Sequence, residues 1–216
     1  MLINLLGGDG CGKTTQIARL ASWVRETFGV PVRTLSKRDL FDAARFPASA
    51  FFGCTYETLA HDLIPRMRDE SRALWVMYMV AALIQEEPPR ADEVVFVDGY
   101  WQKHYATEAA LGLSPEWLLD LCRFFPEPDL TILLDLDPRT IVARGRRHHP
   151  YESGCDFTTR DESFIAHQTR VRILLRDLAE RRGYAVVAAD GNEEMVFREL
   201  AERVQGSVFG ALRATM

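Results

Sequence analysis

Eight residues near the start of the chain, Gly7-Gly8-Asp9-Gly10-Cys11-Gly12-Lys13-Thr14, have the types and spacing of a phosphate cradle, G-x-x-x-x-G-K-S/T. Glycines let consecutive backbone N–H groups point into one concavity, where they hold the β-phosphate of a nucleotide. In such a loop Lys13 reaches the β- and γ-phosphate oxygens, and the hydroxyl of Thr14 ligates a magnesium ion. The helix that follows, with Thr15 in its first turn, turns its positive dipole end to the same anion. Gly7, Asp9, Gly10, Cys11, Gly12, Lys13, Thr14 and Thr15 are therefore the expected nucleotide-binding residues.

Two further groups of residues suit this chemistry. The apolar run Val94-Val95-Phe96-Val97 ends in Asp98, and a strand tip of this kind holds a carboxylate rigidly beside the phosphates. Asp98 is thus the candidate second metal-side residue, acting through metal-bound water. Asp135, which ends Thr131-Ile132-Leu133-Leu134, is its rival, though strand-tip aspartates often only cap a turn. Farther on, Arg144-Gly145-Arg146-Arg147-His148-His149 ends a helical pattern and enters a Pro- and Gly-containing stretch up to Arg160. Helix, basic cluster, excursion and new helix together make the build of a closing lid, at about residues 144–160. Arg144, Arg146 and Arg147 there would neutralise charge on the transferring phosphoryl group and exclude water. The bland alternative is a basic helix end that complements its dipole. His148, His149 and Cys155 match no structural zinc spacing and lack a fourth ligand, so a metal site there is set aside.

The elements that must position these residues follow from pattern. Apolar, β-favouring runs at 2–6, 31–35, 93–97, 130–135 and 184–189 alternate with helical patterns at 13–28, 56–67, 70–87, 114–124, 137–147, 161–182 and 193–205. Such alternation predicts an α/β fold, a five-stranded parallel sheet with helices on both faces. Residues 38–55 read as a loop beside the site, and the residues after Phe209 are expected to fray. No repeat or long linker divides the 216 residues, so one domain over 1–216 is expected.

Composition narrows the function classes. A net charge of −5 gives no support to a nucleic-acid-binding surface. The longest apolar run, Ala73 to Ile84, is too short to span a bilayer, so no membrane partner is expected. That run reads as a helix apolar nearly all round, either fully internal or partly in a subunit interface. The chain opens directly on its first strand without a basic leader, and its four cysteines have no framework spacing. A reduced, cytoplasmic protein is the expectation.

Gly8-Asp9-Gly10-Cys11-Gly12-Lys13-Thr14-Thr15-Gln16 resembles the phosphate loop of thymidylate kinases, within the nucleoside monophosphate kinase group. Asp98-Gly99-Tyr100 sits where that family carries Asp-Arg-Tyr. Pro128-Asp129-Leu130 through Asp137-Pro138 is similar to its Pro-Asp-Leu strand and helix start, and Thr169-Arg170-Val171-Arg172 to its helix after the lid. The resemblance implies a three-layer P-loop kinase fold and an ATP- and Mg2+-dependent phosphotransferase acting on dTMP or a related nucleoside monophosphate. It gives Asp9 a contact with the acceptor, and places Asn192 near the adenine. Small Cys11 resembles the members that supply arginines from the lid rather than from the loop. Many such kinases are homodimers, which the apolar helix would suit.

The departures all fall on the acceptor side. Gly99 replaces the motif arginine, Leu35-Ser36-Lys37-Arg38 replaces Arg-Glu-Pro, and no arginine interrupts the apolar helix. Lys103 and Ala106-Thr107-Glu108 replace the downstream Ser and Ala-Tyr-Gln-like residues. Lys37, Arg38, Arg68, Arg72 and Lys103 are the possible substitutes, and Asp9, Lys37, Arg72, Tyr100 and Lys103 the expected acceptor contacts. Two alternatives stay open: a nucleoside or modified small metabolite as acceptor, or a nucleotide-binding protein without kinase activity.

Overall fold

The computed structural model describes residues 1–214. Its centre is a parallel sheet of β1 (Leu2–Gly7), β2 (Val32–Ser36), β3 (Val94–Asp98), β4 (Leu130–Asp135) and β5 (Ala185–Ala188). The strand order is β2-β3-β1-β4-β5. Side-chain alternation decides which residue goes to which layer. Leu2, Leu6, Val95, Val97 and Leu133 pack on one face. Ile3, Leu5, Val94, Phe96, Ile132 and Leu134 pack on the other. With both faces covered, the central strands β1, β3 and β4 are apolar at nearly every position, as a buried parallel sheet requires.

Helix α1 (Lys13–Phe28) follows the loop, and Ile17, Leu20 and Val24 give it a buried stripe. It shares the second face with α9 (Glu193–Ala214), through Val196, Leu200 and Val204. α9 thus continues past Phe209, and Thr215 and Met216 lie outside the described residues. The opposite layer contains α4 (Asp69–Glu86), α5 (Trp101–Ala110), α6 (Pro115–Cys122) and α8 (Asp161–Arg182). α4 buries Ala73, Val76, Met77, Met79, Val80, Ala82, Leu83 and Ile84, while Leu74 and Tyr78 remain exposed.

Three sequence expectations change. The continuous helix over 56–67 is instead α2 (Tyr56–Thr58), a π-helical stretch Leu59–Leu63 and α3 (Ile64–Arg66). Pro65 is the physical reason: it has no N–H to offer the carbonyl of His61, and the wider turn accommodates the missing bond. α7 (Pro138–Ala143) stops well short of 147, because Gly145 adopts φ +71° just beyond it. The basic cluster therefore belongs to the following segment rather than to the helix. α5 is absent from the pattern-based reading. It buries Gln102, His104, Thr107 and Glu108 among its apolar residues, which erases the periodic stripe. Asn4 on β1 anchors it, its side-chain amide donating to Oε1 of Gln102 at 3.1 Å.

Candidate functional site

The C-terminal ends of parallel strands form a crevice where the connections diverge to opposite sides, and the site lies there. β1 lies between β3 and β4, pairing Leu5 with Asp98 and Gly7 with Leu134. This register sets the phosphate loop beside the tip of β3. Two loop glycines are required by close approach. A Cβ on Gly7 (φ +152°) would meet the Leu134 carbonyl oxygen at 2.7 Å. One on Gly10 (φ +84°) would meet Ile141 Cγ2 at 2.7 Å and Arg146 Nη1 at 2.8 Å.

Lys13 Nζ donates to the carbonyls of Gly7 at 3.0 Å and Gly8 at 2.8 Å, which holds its ammonium inside the loop. The Thr14 hydroxyl donates to Asp98 Oδ2 at 2.5 Å. That contact separates Asp98 from its rival. Asp135 is engaged by Arg172, which donates from Nε at 2.6 Å and Nη2 at 2.8 Å, and by Arg176 at 2.8 Å. The Arg172 hydrogen bond, with both guanidinium charges, outweighs burial and lowers the Asp135 carboxyl below its ordinary range. Asp135 is thus a structural ion-pair centre, and the Thr14 hydroxyl and Asp98 carboxylate stand together. Two hard oxygen ligands with room for water and phosphate oxygens suit magnesium.

Asp9 is the electrostatic hub of the cleft. Lys103 on α5 donates to Asp9 Oδ1 at 2.5 Å. Gln168 on α8 accepts from the Asp9 backbone N–H at 3.1 Å and donates to the carbonyl of Glu152 at 2.9 Å. Burial pushes the Asp9 carboxyl up, but the charges of Lys103 and Lys13 and the Lys103 hydrogen bond more than reverse this, leaving it well below the usual carboxylate range. Lys103 shifts oppositely: burial disfavours its charge, and Asp9 overcomes that to raise it. The pair is ionised at neutral pH.

The cleft has a volume of about 460 Å³. Its wall includes Asp9, Gly10, Gly12, Lys13, Thr14, Thr15, Lys37, Asp98, Lys103 and Arg146, all expected from the sequence. Arg38 is there too, ion-paired with Glu57 and stacked 4.2 Å over the Tyr56 ring. Other expected residues go elsewhere. The Tyr100 ring is buried in the core and its hydroxyl donates to the Pro126 carbonyl at 2.8 Å, so it does not face the cleft. Arg72 is buried against Glu108, with Nη2 3.0 Å from Oε2, and donates from Nη1 to the Met67 carbonyl at 3.0 Å. Its charge is consumed inside the helical layer. Of the basic cluster, Arg146 meets Glu152 at 2.7 Å in the cleft wall. Arg144 donates to the Ala189 carbonyl at 3.4 Å, and Arg147 is exposed; neither lines the cleft. Cys11 is buried behind the loop, and Arg68 is exposed just before α4. The Asn192 side chain accepts from the Met195 N–H at 2.8 Å and caps α9.

Sequence reasoning missed Gln168, Glu152, His61 and His104. Only Glu152 carried a signal, an acid within the basic lid segment. His61 and His149 stack face to face in the cleft wall, their centroids 3.5 Å apart. His148 instead stacks on Phe164 at 3.7 Å, so the two lid histidines diverge.

A thymidylate kinase of Xanthomonas oryzae pv. oryzae is 32% identical over 216 residues, covering 95% of this chain and 87% of the relative. This chain belongs to the thymidylate kinase family. It is a P-loop phosphotransferase, and its five-stranded parallel sheet between helical layers is the P-loop kinase fold. A probable thymidylate kinase of Methanothermobacter thermautotrophicus is 28% identical over 213 residues, 97% of this chain and 96% of its own. One of Sulfolobus acidocaldarius is 31% identical over 135 residues, so that match spans only 62% of each chain. No family model matches the chain. Among the described residues no helix is long and apolar enough to cross a membrane.

Proposed function

We propose that the chain is an ATP- and magnesium-dependent nucleoside monophosphate kinase, with dTMP or a close relative as acceptor. The observation that carries this reading is the Thr14–Asp98 contact beside a loop that holds Lys13. The loop N–H groups and Lys13 would bind the triphosphate, and Thr14 and Asp98 would hold the magnesium ion, which when bound neutralises charge on the β- and γ-phosphates. Arg146, in the cleft wall, is the lid cation best suited to stabilise charge on the transferring group. Asn192, Arg144 and Arg147 remain proposed for the adenine and lid sides. Lys37 and Lys103, which line the cleft with Asp9, are the proposed acceptor cations. No covalent intermediate is required, since positioning and electrostatics supply the catalysis.

A nucleoside or modified small metabolite is the second reading, favoured by one observation. Lys103, Arg38 and Arg146 each already carry a carboxylate partner, which leaves little free positive charge for an anionic acceptor. The deciding experiment measures ADP release from ATP and magnesium against a panel of nucleoside monophosphates and nucleosides, with Lys13→Ala as blank. Fastest turnover with dTMP supports the first reading. Turnover with nucleosides alone supports the second, and ATP binding without any turnover supports a nucleotide-binding protein that is not a kinase.

The proposed unit is one kinase domain with a lid at about 144–160, working in the cytoplasm as a homodimer. Leu74, Tyr78 and Phe124 support the dimer, since they expose a shallow apolar groove between α4 and α6.

A further inference from the structure

Lys37 follows the tip of β2 and lines the cleft, half-buried. Its Nζ lies 2.8 Å from Nε2 of His104, a fully buried residue of α5. The other cations of the wall are matched: Lys103 by Asp9, Arg38 by Glu57, Arg146 by Glu152, and Lys13 by two loop carbonyls. Among the described residues, Lys37 is the one lysine or arginine of the cleft wall that meets neither a carboxylate nor a carbonyl.

An ammonium recessed from water without a counter-ion is costly, and the environment expresses that cost. Burial, then the Lys103 charge, pushes Lys37 down to about 7. Burial, then Lys37 and Lys103, keeps His104 well below the ordinary imidazole range, so its ring is neutral. The other charged groups acting on Lys37 are Asp9 and Lys13 at the loop and Asp98 on β3. His104 Nδ1 is buried without a hydrogen-bond partner, so Nε2 makes the ring's one polar contact. In the tautomer with its proton on Nδ1, Nε2 accepts from Lys37 Nζ and leaves the other ammonium hydrogens free for a ligand in the cleft.

We propose that His104 is a positioning residue that holds Lys37 at the cleft wall, and that the pair recognises a phosphate at the charged end of the acceptor. This rests on the monophosphate kinase reading. A dianion at Lys37 supplies the counter-charge that the protein itself withholds, whereas a neutral hydroxyl leaves the amine uncompensated.

The test is steady-state kinetics of His104→Leu, Lys37→Met, the double variant and His104→Gln, with the best acceptor from the panel. Each single variant is expected to raise the acceptor KM by about tenfold or more, the worth of one charge-assisted hydrogen bond. The KM for ATP is expected to stay within about twofold. The double variant should be no worse than Lys37→Met alone, because His104 acts through Lys37. His104→Gln, which retains an accepting oxygen, should recover most of the loss. A folded His104→Leu with unchanged acceptor KM, or one whose effect adds in full to that of Lys37→Met, overturns the proposal. Should His104→Leu not fold, His104→Met, which also removes the accepting nitrogen, carries the same comparison with Lys37→Met. If the wild type turns over no monophosphate, the function reading fails and the pair is tested separately. Inorganic phosphate is then titrated against 13Cε-labelled lysine by NMR. Saturable displacement of the Lys37 signal, weakened in His104→Met and largely retained in His104→Gln, upholds the pair, and an unmoved signal overturns it.

Discussion

Substituting Arg72 by leucine should destabilise the fold by an amount that the buried geometry around Glu108 sets. The Glu108 side chain is wholly inaccessible to water and accepts from Arg72 Nε at 3.2 and 3.0 Å and from the Tyr151 hydroxyl at 2.7 Å. Arg72→Leu leaves that carboxylate with Tyr151 as its one remaining side-chain donor, and breaking a buried pair from one side costs about 3–5 kcal/mol. An unfolding entropy of about 2.1 cal/mol/K per residue over this chain is about 0.45 kcal/mol/K, so Tm should fall by about 7–11 °C. The loss should shrink in mild acid, where Glu108 takes up a proton. It should also shrink in Arg72→Leu/Glu108→Leu, which removes the stranded charge. Thermal melts followed by circular dichroism at pH 7 and pH 5 measure all three. A drop of less than about 2 °C for the single variant, or a double variant less stable than the single, refutes the assignment of Arg72 to the interior.

His167 is 1% exposed, and burial, with Arg170 and Lys103 adding to it, pushes its imidazole down to about 4. Because the unfolded chain binds that proton near 6.5, its contribution is complete above about pH 6.5 and is lost as pH falls to about 4. It amounts to about 3 kcal/mol. Urea midpoints should therefore drop less between pH 7 and 4.5 in His167→Leu than in the wild type. Gly10→Ala puts a Cβ against Ile141 and Arg146 at a positive φ, so ATP binding by calorimetry should weaken severalfold or more while the circular dichroism spectrum is retained. Asp98→Asn should raise the magnesium concentration for half-maximal rate by about tenfold or more; an unchanged magnesium profile would remove Asp98 from the metal side.

The phosphate loop and all five strands could be read from the sequence, because their signals are local. Glycine spacing, Lys13 and Thr14 need no distant partner. The central strands β1, β3 and β4 are apolar at nearly every residue, and the edge strands β2 and β5 show as short β-favouring runs between helices. The location of the acceptor-side groups was not readable. Arg72 as a free cation and Arg72 as half of an ion pair look the same until α5 is known to bring Glu108 against it. α5 itself was hidden because four of its polar residues face inward: Gln102, His104 and Glu108 meet tertiary neighbours, and the Thr107 hydroxyl donates to the Lys103 carbonyl of its own helix. Tyr100 shows the same limit: one residue beyond Gly99, its ring turns to Phe125 and the Pro126 carbonyl rather than the cleft. Asp98 and Asp135 are both strand-tip acids by pattern, with Asp98 preferred, and the Thr14 contact on one and the α8 arginines on the other separate them.

The stacked rings of His61 and His149 join two stretches of chain with separate attachments to the body of the protein. One is the broken run before α4, and the other is the segment after α7. Such a contact is a seam between two wall panels, closed by about 0.5–1.5 kcal/mol of ring contact and by the Arg66 guanidinium, which lies 4.6 Å over the Phe157 ring. A seam of two such contacts can part and reseal at little energetic cost, which suits the closing motion proposed for the lid segment. Under the lid proposal, changes on the 56–66 side should be felt as altered closure of the 144–160 side, and the tempo of opening would belong to both segments jointly.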